Sequence, residues 1–293
     1  MEQLIAACEN GSVSVDLLRE RLIVDGFPEG ASSITGIGSK AGCSLRGRAW
    51  KMLLGVSVMN FKYYLSLVCR GENERFGGKI KKDTNRTFAT DVNFSALVSE
   101  PKLLRVLNAF VNDDLSHMYL QGMNALCGVF LYIMPELDAF YCFKSLILNL
   151  LPRYMTSNME GVKEGCALAD ECLEILDPDL FNYIRKSSCS TSWVYAHQPV
   201  LTLSSGIPPL STCVELWDVY LSGGVHLNIV FFVSYMVLMR NHIIKRIPDE
   251  KIVIISGRDY PPGKPAQLLE AGLKNLSRLN EAFVKKLEQH CSP

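Results

Sequence analysis

The chain carries no excess of either charge. Lysine plus arginine and aspartate plus glutamate each number 30 among 293 residues, for a formal net charge of zero. Without a basic surplus, neither nucleic acid nor an anionic membrane surface is indicated as the main partner. The ten cysteines include no Cys-x-x-Cys pair, and the five histidines (His117, His197, His226, His242 and His290) are scattered, so metal-site spacing is absent. Cys127, Cys142 and Cys213 stand among apolar neighbours, the pattern of small buried thiols in a reducing cytosol. No apolar run reaches the roughly 20 residues that a membrane-spanning helix needs. The most apolar window, Val225 to Met239, is broken by His226 and Asn228 and reads as a buried core helix. Glu2 and Glu9 flank a short, weakly apolar start, which argues against a secretory leader and for a cytoplasmic protein.

Several catalytic signatures also fail. Gly36-Ile37-Gly38-Ser39-Lys40-Ala41 loosely matches the dinucleotide fingerprint, but no strand precedes it and no βαβ pattern follows. Gly77-Gly78-Lys79 is not a phosphate loop, because Asn73 stands where the first glycine belongs and Ile80 where serine or threonine belongs. Gly263-Lys264 fails the same test, with Arg258 at the glycine position. There is no Gly-x-Ser-x-Gly elbow, so a hydrolase or other metabolic enzyme is not supported and no cofactor is expected. No internal repeat of fixed period argues for a solenoid.

What is present is helical punctuation, with 48% hydrophobic residues to form a core. The pattern predicts an all-α protein: one or two short helices within Met1 to Gly26, then a Gly/Ser/Ala-rich loop from Gly30 to Ser44. Helices follow over Leu45 to Leu67, after Ser99-Pro101, and from a cap at Asp113 or Asp114 through Gln121 to about Met134. Further helices are predicted over 138–150, 160–176, 180–185, 193–203, 212–221, 227–246 and 266–289. Arg70 to Lys79 reads as an exposed, mobile loop. Ile252 to Ile255 is the best strand candidate and is short. The domain boundaries suggested are a helical extension and loop over 1–44, a main domain over 45–240 with its motif-bearing half at about 45–135, and a C-terminal helical part over 241–293.

Three short motifs stand out. They are Arg46-x-x-x-Trp50, Ile80-x-x-Asp83-x-x-Arg86, and Tyr119-x-Gln121-Gly122-Met123-Asn124. Taken singly, each has an ordinary reading. An Asp–Arg pair three apart is usually a solvated helix pair worth a few tenths of a kcal/mol. A glutamine at a helix start is usually a cap or surface residue, and a lone tryptophan is a core residue. Together, in this order, they resemble the TBC domain, whose members accelerate GTP hydrolysis by Rab-type small GTPases. The resemblance covers about Leu45 to Arg240 and includes Leu216-Trp217-Asp218 in the C-terminal half.

The resemblance implies a single TBC domain of two helical subdomains. It implies that Arg86 is an arginine finger and Gln121 a glutamine finger, the latter taking over from the GTPase's own glutamine. Asp83, Tyr119, Gly122 and Asn124 would support them; Asp83 would hold the guanidinium, and Gly122 would let a partner come close. Arg46, Trp50 and Ile80 would be structural, with Trp50 a core anchor and Arg46 paired to a buried acid. The partner would be a Rab-like small GTPase in its GTP state, carrying its own nucleotide and Mg²⁺. Lys82 to Phe88, Leu104 to Asn108, Val200 to Ser204 and Gly224 to Ile229 resemble the mitotic-exit checkpoint branch of the family. That implies a separate scaffold partner and a site of action at the spindle pole body or centrosome. Specificity would lie in surface loops, with Arg70 to Lys79 and Tyr154 to Glu160 as candidates. The competing reading is a non-catalytic scaffold that binds a GTPase without accelerating hydrolysis.

Overall fold

Side-chain oxygens of Ser14, Ser44, Asn60, Asp91 and Asn280 each accept a hydrogen bond from a backbone amide two or three residues on, and each starts a helix. The computed structural model describes residues 1–34, 40–114, 116–186, 191–206, 209–246 and 265–292. Among them no strand forms; a single isolated bridge joins Lys40 and Cys43. The strand candidate at Ile252 to Ile255 and most of the loose dinucleotide match lie outside the described residues.

The chain folds as two compact units. The first comprises residues 1–149 with 221–223, and holds α1 (Glu2–Glu9), α2 (Val15–Asp25), α3 (Leu45–Leu53), α4 (Phe61–Val68), α5 (Gly77–Thr84), α6 (Val92–Leu97), α7 (Glu100–Asp113), α8 (Met123–Ile133) and α9 (Glu136–Ser145). A π-helical turn, Leu146–Leu150, follows α9. α8 is apolar on nearly every side and is the core of this unit, with α3, α5, α6, α7 and α9 packed around it. Trp50 is fully buried and meets Phe130 of α8 edge-on at 5.9 Å.

The second unit comprises residues 150–220 with 224–293. It holds α10 (Glu160–Leu176), α11 (Pro178–Lys186), α12 (Ser192–Leu201), most of α13 (Leu210–Gly223), α14 (Leu227–Leu238), α15 (Arg240–Arg246), α16 (Pro265–Leu276) and α17 (Glu281–Cys291). α14 is its buried centre, with α10, α12, α15 and α16 against it. Nine cysteines are described; all are free thiols and all but Cys69 are buried.

Four predicted helices have other limits. The segment 45–67 breaks at Gly55, whose φ of +68° a side chain rarely adopts, and restarts at the Asn60 cap. The segment 227–246 breaks at Met239, and 266–289 breaks at 277–280, where Asn280 caps α17. The predicted helix from Asp113 or Asp114 does not begin there. Asp113 ends α7, and Asp114 instead accepts from the Ser116 amide at 2.7 Å, which turns the chain away from helix. α8 starts only at Met123, after Gly122 with φ +111°. The segment 70–79 is shorter than expected and is pinned. Asn73 accepts from the amides of Arg75 and Phe76 at 3.0 Å, donates from its own amide to Asn108, and pairs with Asn112.

Tyr154, taken from the sequence as part of a surface loop, is a core residue at 1% exposure. Its hydroxyl lies 2.9 Å from Nε2 of His290, which is itself fully buried on α17. The other nitrogen, Nδ1, faces the Leu287 carbonyl, so Nδ1 donates there and Nε2 accepts from the phenol. Burial holds the imidazole pKa down to about 4. The neutral ring is the form this pocket fits, so its stabilisation is complete above the unfolded value of about 6.5 and declines as pH falls towards about 4. Urea unfolding of the wild type from about pH 7 to about pH 4 is expected to lose on the order of 3 kcal/mol through this residue, and His290→Asn is expected to lack that slope.

Candidate functional site

α5 ends at Thr84, so Arg86 stands in the turn that follows, its amide donating to the Asp83 carbonyl at 3.2 Å. The side chain of Arg86 is 56% exposed, while that of Asp83 is 8% exposed. The two are joined by Nη2 of Arg86 donating to Oδ1 of Asp83 at 2.5 Å. The second carboxylate oxygen, Oδ2, accepts from the Tyr119 hydroxyl at 2.8 Å. Burial, and then the adjacent carboxylate, push the Tyr119 phenol well above its ordinary pKa, so it stays protonated and donates. Asp83 thus has one donor on each oxygen, as a buried carboxylate requires. Ile80, one turn earlier, is fully buried and anchors α5.

Asn124 completes the network from α8. Its Oδ1 accepts from the Gly122 amide at 3.0 Å, and its Nδ2 donates to Oγ1 of Thr87 at 2.8 Å. Thr87 Oγ1 in turn donates to the Asp83 carbonyl at 2.8 Å. The residue after Arg86 and the residue after Gln121 are therefore joined through one amide. Gln121 itself is exposed, and its side chain makes no hydrogen bond among the described residues. It is held through the backbone, by the left-handed turn at Gly122 and the Asn124 contact. The φ of +111° gives Gly122 a conformational reason to be glycine.

The other expected residues lie elsewhere in the first unit. Arg46 is buried on α3, bonded to the Ser32 hydroxyl and lying over the Phe27 ring at 4.8 Å. Arg48, buried on the same helix, donates from Nε to Oε1 of Glu9 at 2.7 Å. Sequence reasoning gave no role to Thr87, Phe88 or Gly128, although all three touch this site. Among the described residues no cluster of His, Cys, Asp and Glu could hold a metal ion, and no helix is long and apolar enough to cross a membrane.

The Rab-GTPase-TBC domain family matches residues 43–244. The chain belongs to the Rab-GTPase-TBC family. Its fold is a single all-α TBC domain, and by class it is a GTPase activator. A putative mitotic check point protein BUB2 of Dictyostelium discoideum is 40% identical over 232 residues, 78% of this chain and 62% of that protein. Cell division control protein 16 of Schizosaccharomyces pombe is 32% identical over 285 residues, 96% of this chain and 90% of that protein. The crystal structure of the Ypt/Rab-GAP domain of Gyp1p superposes with a TM-score of 0.70 at 15% identity, covering 94% of this chain and 97% of that one. This last likeness is one of fold. All three sequence motifs of the TBC domain lie in the first unit, and two of them share the Asp83–Asn124 network.

Asn124 bonds both halves of that network, so truncating it strands buried donors and acceptors. Asn124→Ala is expected to lower stability by about 1–3 kcal/mol in denaturant unfolding. Amide hydrogen exchange at Gly122 is expected to rise more than the global change explains.

Proposed function

We propose that this protein stimulates GTP hydrolysis by a Rab-like small GTPase in trans, with Arg86 as an arginine finger and Gln121 as a glutamine finger. The single observation that carries the reading is that Arg86 and Gln121 are both exposed, while the groups that hold them, Asp83, Tyr119 and Asn124, are buried in one hydrogen-bond network. In phosphoryl transfer, negative charge shifts onto the transferring group and the leaving oxygen, and a cation supplied from outside stabilises it by about 10³–10⁵ in rate. Arg86 gives one nitrogen to Asp83 and leaves the rest of its fork for phosphate oxygens. The carboxamide of Gln121 accepts a hydrogen bond from the attacking water and donates to a phosphate oxygen, which orients the water for attack. The nucleotide and Mg²⁺ belong to the partner.

The relatives named for mitotic checkpoint and cell division control support a GTPase that governs mitotic exit or cytokinesis, with action at the spindle pole body or centrosome. A separate scaffold protein is a further partner on this reading.

Single-turnover GTP hydrolysis across a panel of Rab-like GTPases tests the proposal. Arg86→Ala is expected to lower the maximal stimulated rate by about 10³ or more, and Gln121→Ala by about 10²–10³, with the fold retained. Arg86→Lys is expected to remain poor, because a point charge does not replace a planar fork. Rates unchanged in both alanine variants would end the proposal. Binding of a GTP-loaded GTPase by the wild type with no acceleration, even with a co-purified partner, would make the domain a binding module instead.

A further inference from the structure

Phe88, two residues after Arg86, has φ +46°. A non-glycine residue in this left-handed region costs on the order of 1 kcal/mol and persists only where its surroundings hold it. Gly128 sits in the middle of α8, where glycine is about 1 kcal/mol worse than alanine. The two anomalies account for each other. A Cβ added to Gly128 would lie 3.0 Å from Cε2 and 3.3 Å from Cδ2 of the Phe88 ring, and 3.3 Å from Cγ2 of Thr87. The ring therefore occupies the space that a side chain on α8 would fill. The ring also meets Phe94 of α6 edge-on, with centroids 5.0 Å apart and planes at 72°. The Phe88 carbonyl accepts from the Asp91 amide at 2.9 Å, and the Asp91 side chain caps α6, which closes the turn.

Asn124 and Gly128 stand four apart on α8 and so on one face of it. Asn124 takes Thr87 by a hydrogen bond, and Gly128 takes Phe88 by contact. The two residues that follow Arg86 are thus docked at two points, one turn apart, on the helix whose first turn follows Gln121. We infer that the Phe88–Gly128 seat is a positioning element: it fixes where Arg86 stands relative to Gln121, and maximal GTPase stimulation depends on it although neither residue meets the nucleotide. This rests on the arginine-finger reading.

The test is single-turnover stimulation of a responsive GTPase, titrated with the full chain, for wild type, Gly128→Ala, Phe88→Ala and the double variant, each repeated with Arg86→Ala. Gly128→Ala is expected to lower the maximal stimulated rate by about tenfold to a hundredfold, as a displacement of about an ångström does. The half-saturating concentration is expected to stay within about threefold. The double variant is expected to be no slower than Phe88→Ala alone, because the added methyl then has room. With Arg86 already alanine, Gly128→Ala is expected to cause no further loss. A wild-type maximal rate in Gly128→Ala overturns the inference, as does an equal fold-loss with and without Arg86. Should Gly128→Ala fail to fold by circular dichroism, Phe88→Ala carries the same comparison. If Arg86→Ala alone stimulates like wild type, the arginine reading fails; if Arg86→Ala is slow while both seat variants are normal, only the seat fails.

Discussion

A carboxylate that is 8% exposed has to be compensated, and Asp83 is the constraint on which the site depends. Its two oxygens are divided between a guanidinium that reaches solvent and a phenol that does not. Loss of either donor leaves one buried carboxylate oxygen without a partner, so Arg86 is tethered in the free protein. On the proposed reading, a cation already oriented loses little freedom when a partner's phosphates arrive, and this kind of preorganisation is where electrostatic catalysis gains most. The exposed fraction of Arg86 matters as much as the tether. A fully buried guanidinium would be spent within the fold, and a fully solvated one would have no fixed direction.

The two exposed polar groups are held in different ways, and the difference follows from their chemistry. Arg86 is restrained through its side chain, by a charged contact at one nitrogen. Gln121 is restrained through the backbone alone, by the left-handed Gly122 and by Asn124 on the next amide. A guanidinium only donates, so one of its donors can be assigned to the fold permanently. On the proposed reading the Gln121 carboxamide accepts from water and donates to phosphate, and so needs both ends free. Asn124 keeps the two arrangements in register. One amide reads the position of the chain after Gln121 with its oxygen and the position of the chain after Arg86 with its nitrogen.

Much of this was legible in the sequence, for reasons that differ by residue. The Ile80–Asp83–Arg86 spacing is that of a helical turn, and the structure places the pair in contact even though the helix stops at Thr84. Trp50 as a core anchor and α8 as a central helix follow from apolar pattern. The start of α8 was misplaced because an aspartate that resembles a cap closes a turn onto Ser116 instead. Tyr154 resembled a loop residue because its partner, His290, is far away in sequence and no local pattern announces it. Phe88 was unreadable for a similar reason. Nothing about phenylalanine suggests a left-handed backbone, and only the missing side chain on Gly128 makes room for its ring. The one available signal was Gly128 itself, a glycine inside a strongly apolar helix, which is a mark of close approach.

On the proposed reading, two side chains account for the activity and the remaining residues account for their placement. A stimulation of about 10³–10⁵ amounts to about 4–7 kcal/mol of barrier, within reach of one charge and one oriented dipole in a site that a partner closes. No metal or covalent intermediate of the activator's own is then needed. What such a mechanism cannot tolerate is error in position, since a misplacement of about an ångström undoes orders of magnitude. That requirement explains why the rigid features of the first unit gather beside the motifs. The buried carboxylate, the bridging amide, the left-handed glycine and the ring seated on a helix glycine all act on the chain within a few residues of Arg86 or Gln121.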